Sequence, residues 1–458
     1  VSSFVLSSKA GKESWVKPIV EEDAYHFVVR TGAFPETAKN GTKATGRGAN
    51  FLCLLSNTSI QGDYIKQEGQ NGRMGARLLA VVAEGRGRRI YLSPSIEMEE
   101  IAHLANPQWR PNGSVPARLT GGTCVPYGMK EWADIFTPRQ LTALSTFADL
   151  VPEAIELVQR DASAAGWEDD GRGLDDGGCG ATAYAQAIGV YLAFAVDRAA
   201  DFNNTLNGWR SGNEKIMNLF SRQAIPMVWD YGEANILAEV VGGFPTHIQY
   251  QTKCILFLNS KLNGFARQVD AQTQVISANK VVSSDPPYYD NIGYADLSDF
   301  FYIWLRKSLK DIYPDIFSTM LVPKQTELVA TPYRFGGSKT KAKSFFEQGM
   351  LTTCQQIYKY AREDIPVTIY YAFKQSDTDE QGTASSGWET MLSAIIQSGF
   401  SITGTWPMRT EMASRAIAQG ANALASSIVL VCRKRQAEAP VCTRKQFLRS
   451  LRTELQTS

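Results

Sequence analysis

KVVSSDPPYYDN, residues 280–291, begins as a short β-type run and turns abruptly into two prolines. Valines and serines followed by a proline turn read as a strand that stops at Asp285. Open α/β sheets place their ligand sites just beyond the carboxyl ends of strands. Asp285, Pro286, Pro287 and Tyr288 are therefore the first candidate site. The bland alternative is a proline-stiffened turn with a capping aspartate. The flanking sequence alternates in the way such a sheet requires. GFARQVDA (264–271) reads as a strand ending at Asp270, VTIYYAFK (367–374) as another, and GWETMLSAIIQSG (387–399) as a helix. FSITGTWPMRTE (400–411) and SSIVLVCRKR (426–435) complete the set. This pattern predicts a mostly parallel α/β sheet over residues 262–436. The last two strands, joined only by a loop at 412–425, predict an antiparallel terminal hairpin.

Upstream the character changes. Residues 1–135 read as a β-rich region of short runs such as HFVVRTG and RRIYLSP between turn signals. Between Lys39 and Arg89 nine basic residues (Lys39, Lys43, Arg47, Lys66, Arg73, Arg77, Arg86, Arg88, Arg89) face three acidic ones, a local excess of +6. Glycines interleave them and would let backbone approach a phosphate. The segment is either a DNA contact or a solvated β-surface. Residues 136–261 read as a helical connecting region. Thr137-Pro138 opens a helix over 137–165 that is broken or kinked at Pro152. An acidic glycine-rich loop at 166–180 leads to a second long helix ending near Phe202. The stretch 149–176 holds nine acidic residues against Arg160 and Arg172 and carries −7. Residues 437–458 form a basic tail.

Composition bounds the rest. The 458 residues include 47 Lys+Arg and 46 Asp+Glu, with 44% hydrophobic and 20% charged side chains. That is the profile of a soluble globular protein, and it excludes a disordered chain, a collagen-like fibre or a small disulfide scaffold. No run approaches the roughly 20 apolar residues of a membrane helix. Seven scattered cysteines without a C-x-x-C pair read as reduced thiols in a cytoplasmic protein. Three distant histidines argue against a metal-hydrolase site. The first residue, Val1, suggests a processed chain or a piece of something longer.

The Asp285 loop suits methylation of an amino group. The exocyclic amine of adenine is a poor nucleophile because its lone pair is delocalised into the ring. Two acceptors for its N–H groups favour a pyramidal nitrogen with the lone pair turned outward. The Asp285 carboxylate supplies one acceptor and the Pro286 carbonyl the other. Two successive prolines hold that carbonyl in place. Tyr288 offers a face on which a flipped-out base can stack. The methyl group would come from a sulfonium cofactor held at neighbouring strand ends.

These residues resemble the DPPY catalytic motif of class I S-adenosylmethionine-dependent amino-methyltransferases. The longer block DPPYYDNIGYADLSDFFYIWLRKSL (285–309) is similar to the large prokaryotic adenine-specific DNA methylases with a zinc-ribbon insert. RQAIPMVWDYGEAN (222–235), ELVATPYRFGG (327–337) and NALASSIVLVCR extend the resemblance over nearly the whole chain. It implies the C-terminal half of a Rossmann-like methyltransferase domain, S-adenosylmethionine as cofactor, and transfer to adenine in duplex DNA. A restriction-modification or phage-defence setting, with defence proteins as partners, would follow. Asp285 to Tyr288 would form the catalytic loop, and Asp270 with Ala271 would meet the cofactor's adenine; the residue-level alternative for Asp270 is a cap or turn. Phe300, Phe301, Tyr302 and Trp304, at helical spacing, read as core packing rather than a stacking platform.

Two departures qualify the match. No D-P-F-x-G-x-G cofactor loop occurs in the 458 residues. The family carries it upstream, in an N-terminal part that would be missing here, so the isolated chain should be inactive and bind the cofactor weakly. The zinc ribbon's C-x-x-C pair is reduced to Cys53, with Ser56 in the second place, and no metal ligand is assigned. An RNA amino-methyltransferase and a non-catalytic DNA-binding subunit are the alternatives.

Overall fold

The computed structural model describes residues 1–44, 50–116, 123–221, 224–258, 264, 266–289, 293–372, 386–408, 427–436 and 438–457. They form two compact units, Val1–Gly264 with Tyr294–Lys324, and Phe265–Gly293 with Gln325–Ser458. The whole is a mixed α/β protein with several small sheets. No helix among the described residues is long and apolar enough to cross a membrane.

The first unit opens with a three-stranded antiparallel sheet, β1 (Val5–Ser7), β2 (Ser14–Glu21) and β3 (Ala24–Thr31). Helix α1 (Glu36–Asn40) follows, then the short hairpin β4 (Phe51–Leu52) and β5 (Ser59–Ile60), and α2 (Gly62–Gln70). A second hairpin, β6 (Val81–Gly85) with β7 (Arg88–Leu92), precedes α3 (Ile96–His103). The main core is helical: α4 (Pro138–Ala164), α5 (Ala181–Phe202) and α7 (Tyr294–Leu309), with the hairpin β8 (Trp209–Arg210) and β9 (Lys215–Ile216) and helix α6 (Phe244–Phe257) between. Phe300, Ile303 and Trp304 of α7 enter the core beside Leu141, Leu144 and Val196. Tyr302 seats in an adjoining cluster with Phe317. The aromatic run 300–304 is thus core, and its helix belongs to this unit.

Helix α4 starts on a capping box. Thr137 accepts the Gln140 N–H at 3.2 Å and Gln140 returns an acceptor to the Thr137 N–H at 2.8 Å. The expected break at Pro152 is absent, and the helix runs through it. Proline lacks the N–H that would bond the carbonyl four residues earlier, Ala148. The Ser308 hydroxyl donates to that carbonyl at 3.3 Å, in a fully buried setting. A side chain from α7 thus takes over the bond that Pro152 cannot make.

The end of α5 is closed in a similar way. The Asn203 amide donates to the Ala199 and Gly242 carbonyls at 2.8 Å each, and the Asn204 amide to the Ala200 carbonyl at 3.0 Å. These fill acceptors that a helix C-terminus leaves open. Beside them lie the buried acids Asp197 and Asp201. Burial, reinforced by the neighbouring Asp201 charge, holds the Asp197 carboxyl well above the usual carboxylate range. Burial pushes the His247 imidazole down to about 4, with Arg198 adding to the shift.

The second unit holds one four-stranded sheet in the order β10 (Ser283–Ser284), β11 (Val367–Ala372), β13 (Ser427–Lys434), β12 (Phe400–Met408). β10 pairs with β11 in parallel, and β13 pairs antiparallel with both β11 and β12. Three strands therefore run one way and β13 runs back between two of them. The terminal antiparallel pair is as the sequence suggests; residues 409–426 between its strands lie outside the described ones. Helix α8 (Lys339–Tyr360) sends Phe346, Met350, Cys354 and Ile357 into the core at spacings of three and four. From β11 come the alternating Val367, Ile369 and Tyr371, and from α9 (Ser386–Gln397) come Met391, Ala394 and Ile395. Each fully buried side chain of this kind contributes about 1.5–3 kcal/mol. The basic tail forms α10 (Arg444–Thr457).

One expected strand is corrected. Residues 266–271 form coil and turn, with Val269 47% exposed. The segment lacks alternation and carries Arg267, Gln268 and Asp270 where a buried parallel strand would be apolar. The strand at 280–291 is also shorter than read, comprising Ser283–Ser284.

Two outcomes follow. Ser308→Ala orphans a buried carbonyl and should lower stability by about 1–3 kcal/mol in urea unfolding. The same change should cost much less in a Pro152→Ala background, where the helix regains its own donor. Asp197 has a raised folded-state pKa, so its carboxyl opposes folding once pH exceeds its unfolded value and more so as pH rises. Asp197→Asn should therefore raise the Tm at pH 8 more than at pH 5.

Candidate functional site

The chain leaves β10 at Ser284 and enters Asp285-Pro286-Pro287-Tyr288 directly. The loop thus starts at the carboxyl end of a strand flanked by a parallel neighbour. Asp285 is exposed, while both prolines and Tyr288 are half-buried. The Tyr288 hydroxyl donates to Asp285 Oδ1 at 2.5 Å, closing the four-residue loop on itself. The next residue, Tyr289, has φ of +46°, a left-handed conformation that costs a non-glycine residue about 1–2 kcal/mol. Its ring packs edge-on to Phe346 at 5.2 Å and its carbonyl accepts the Ala330 N–H at 2.9 Å. Packing and hydrogen bonding hold the strained residue in place. Strain of this kind concentrates at functional loops.

Aromatic side chains wall the loop. The Tyr288 ring meets Tyr371 of β11 edge-on at 5.4 Å, and Tyr371 meets Trp388 of α9 at 5.6 Å and 39°. Gly387, buried at the start of α9, lets these groups approach. A Cβ there would stand 3.0 Å from the Tyr371 hydroxyl and 3.1 Å from the Tyr289 Cβ. Tyr371, Gly387 and Trp388 were not assigned roles from sequence, although VTIYYAFK and the SGWE stretch carry them. Their signal was the aromatic at an inward position of the strand next to the loop. Close by in sequence, Arg334 and Glu327 form a well-shielded ion pair at 2.7 Å on the segment that leads from Ala330.

The arrangement presents a solvent-open carboxylate, a backbone carbonyl stiffened by two prolines, and an aromatic face. Such a set accepts hydrogen bonds from an amine and stacks a planar ring. It offers no nucleophile paired with a base of the hydrolase type.

Asp270 and Ala271 belong to the same unit. The Asp270 carboxylate accepts the Gln272 N–H at 2.9 Å, and its carbonyl accepts the Thr273 N–H at 3.1 Å. Its hydrogen bonds among the described residues stay within this turn. That is the cap-like role open to it at the residue level, and the turn does not join it to the Asp285 loop.

Cys53 lies in the β4–β5 connection. Hydrogen bonds from the Ser56 side chain, and from the backbone of Ser56 and Leu55, hold its thiol below the ordinary cysteine range. Ser56 thus stands where a C-x-x-C pair would carry its second sulfur. Among the described residues no group of three or more His, Cys, Asp or Glu side chains is placed to hold a metal ion.

The basic segment divides in two. Lys39 pairs with Glu36 at 2.7 Å, Lys66 with Asp63 at 2.9 Å, Arg73 with Glu68 at 2.6 Å and Arg77 with Glu99 at 3.0 Å. These pairs are exposed and contribute little to stability, but they cancel much of the local charge. Arg47 lies outside the described residues.

Compared with protein-family models, curated proteins and solved structures, the chain matches none.

Gly387→Ala should crowd Tyr371 and Tyr289 and lower stability by about 1–3 kcal/mol. The expected sign is a reduced urea midpoint together with a changed near-ultraviolet tyrosine signal.

Proposed function

We propose that this chain contributes the acceptor-binding side of an S-adenosylmethionine-dependent adenine methyltransferase acting on DNA. The observation that carries the reading is the Asp285–Tyr288 loop at the carboxyl end of β10, with Tyr288 walled by Tyr371. The strand order β10-β11-β13-β12, with β13 reversed, supports a Rossmann-like methyltransferase half-sheet. In this reading a flipped-out adenine stacks on Tyr288. Its amine donates one hydrogen to Asp285 and the other to the Pro286 carbonyl, which frees the nitrogen lone pair. Asp285 Oδ1 already accepts the Tyr288 hydroxyl, and the carboxylate keeps further lone pairs with which to accept the amine.

S-adenosylmethionine, when bound, supplies an electrophilic methyl group. Asp270, the acid assigned to it by resemblance, is committed to its own turn, and the 458 residues contain no D-P-F-x-G-x-G segment. The chain's own contribution is the acceptor geometry.

Asp285→Ala in the complete protein should reduce methyl transfer to duplex DNA by about 10²–10³-fold, the loss expected for one preorganised hydrogen-bond partner. DNA binding should stay nearly intact. Radiolabelled methyl incorporation reads the first and a mobility shift the second. Undiminished incorporation by the variant sinks the assignment, and incorporation into tRNA but not DNA moves the substrate to RNA.

A further inference from the structure

Resting on the reading that the substrate is DNA, we infer that duplex phosphates are gripped by two adjoining hairpins of the first unit. The gripping residues are Arg86, Arg88 and Arg89 of β6–β7 and Arg210 and Lys215 of β8–β9. The two hairpins lie more than a hundred residues apart in sequence and meet in space. The Arg89 guanidinium lies over the Trp209 ring at 6.0 Å. The Tyr91 hydroxyl donates to Glu214, in the turn of the second hairpin, at 2.9 Å.

Three features suit these two hairpins to a polyanion. First, all five cations are exposed and none is ion-paired among the described residues, unlike Lys39, Lys66, Arg73 and Arg77. Second, the nearby acids do little to offset them. Glu214 is buried, with its carboxylate taken by Lys9 at 2.5 Å as well as by Tyr91. Glu84, the cross-strand partner of Arg89, is the one acid within the β6–β7 strands. Third, the ribbon is narrow and firmly mounted. It is paired from Val81↔Leu92 to Gly85↔Arg88, with Arg86 and Gly87 at the tip and Gly87 at φ +67°. The Val29 N–H donates to Ser93 at 2.9 Å just after it, and the Trp209 indole donates to the Leu6 carbonyl at 2.7 Å. A two-stranded ribbon of this width fits a DNA major groove. Arginines at its tip then meet phosphates with little ordering left to lose.

The test is the salt dependence of binding, which needs no methyl transfer. Arg86→Ala/Arg88→Ala/Arg210→Ala in the full chain is titrated against a fluorescein-labelled DNA duplex of arbitrary sequence between about 50 and 200 mM KCl. Each lost phosphate contact lowers the slope of log K against log salt by ~0.9, so the slope should fall by about 2–3 and affinity by tenfold or more. Lys39→Ala/Lys66→Ala/Arg73→Ala, which removes the ion-paired cations, should change the slope by less than ~1. Arg210→Ala/Lys215→Ala repeats the test without touching the first hairpin. Equal slope losses in the two triple variants, an unchanged slope in the hairpin variants, or binding of duplex RNA but not DNA overturns the inference. Normal methylation by Asp285→Ala alongside a lost slope in the hairpin variants would end the catalytic proposal and leave this one standing.

Discussion

β13 is hydrogen-bonded on both of its edges, to β11 through six residue pairs from Val367↔Cys432 to Ala372↔Ser427, and to β12 along its whole length. Its inward residues Leu430 and Cys432 are at most 1% exposed. Among the described residues β10 has a strand on one side alone, and that strand, β11, is held in turn by β13. The position of Asp285 is therefore the end of a chain of backbone pairings that begins at β13. The same burial keeps the core thiols inert: it pushes Cys432 up to about 11 and Cys354 up to about 12, so both behave as small hydrophobic groups.

The first unit is organised by a different constraint, the satisfaction of buried polar groups along helices. Ser308 answers the carbonyl left by Pro152, and two asparagines answer those at the end of α5. Asp201 accepts the Phe220 N–H at 3.2 Å and pairs with Arg198 at 2.6 Å. Burial nonetheless holds its carboxyl above the usual range, with those partners pulling it back. Such a network specifies one arrangement of the helices more sharply than apolar contact alone would, because each mismatch leaves a buried donor or acceptor unpaired.

What the sequence disclosed follows from how local the deciding forces are. The β-type runs 367–372 and 427–434 form strands as read, with Val367, Ile369, Tyr371, Val429, Leu430 and Cys432 buried. The DPPY loop was legible because proline dictates backbone without help from its surroundings. The strand expected at 264–271 had no such internal guarantee, and its polar residues settle into a turn. That α4 runs on through Pro152 rather than breaking there was left open by the sequence, since the remedy lies on Ser308, far along the chain. The charge of segment 39–89 was only partly legible for a similar reason. Glu36 and Glu99, two of the acids that neutralise it, fall outside the window, and Arg210 and Lys215, which extend it, fall farther away still.

The two prolines after Asp285 also bear on how the sheet behaves among other molecules. A strand on the margin of a sheet can recruit a stranger's strand through its unpaired backbone, the route to edge-on aggregation. Among the described residues β10 is such a margin, but it is two residues long, and Pro286 and Pro287 have no N–H with which to lengthen it. A recruited strand would find about two residues to pair with before meeting a segment unable to donate, too little to offset its own ordering. Among the described residues, the loop that gives the candidate site its stiffness thus also shortens the backbone with which a foreign strand could pair.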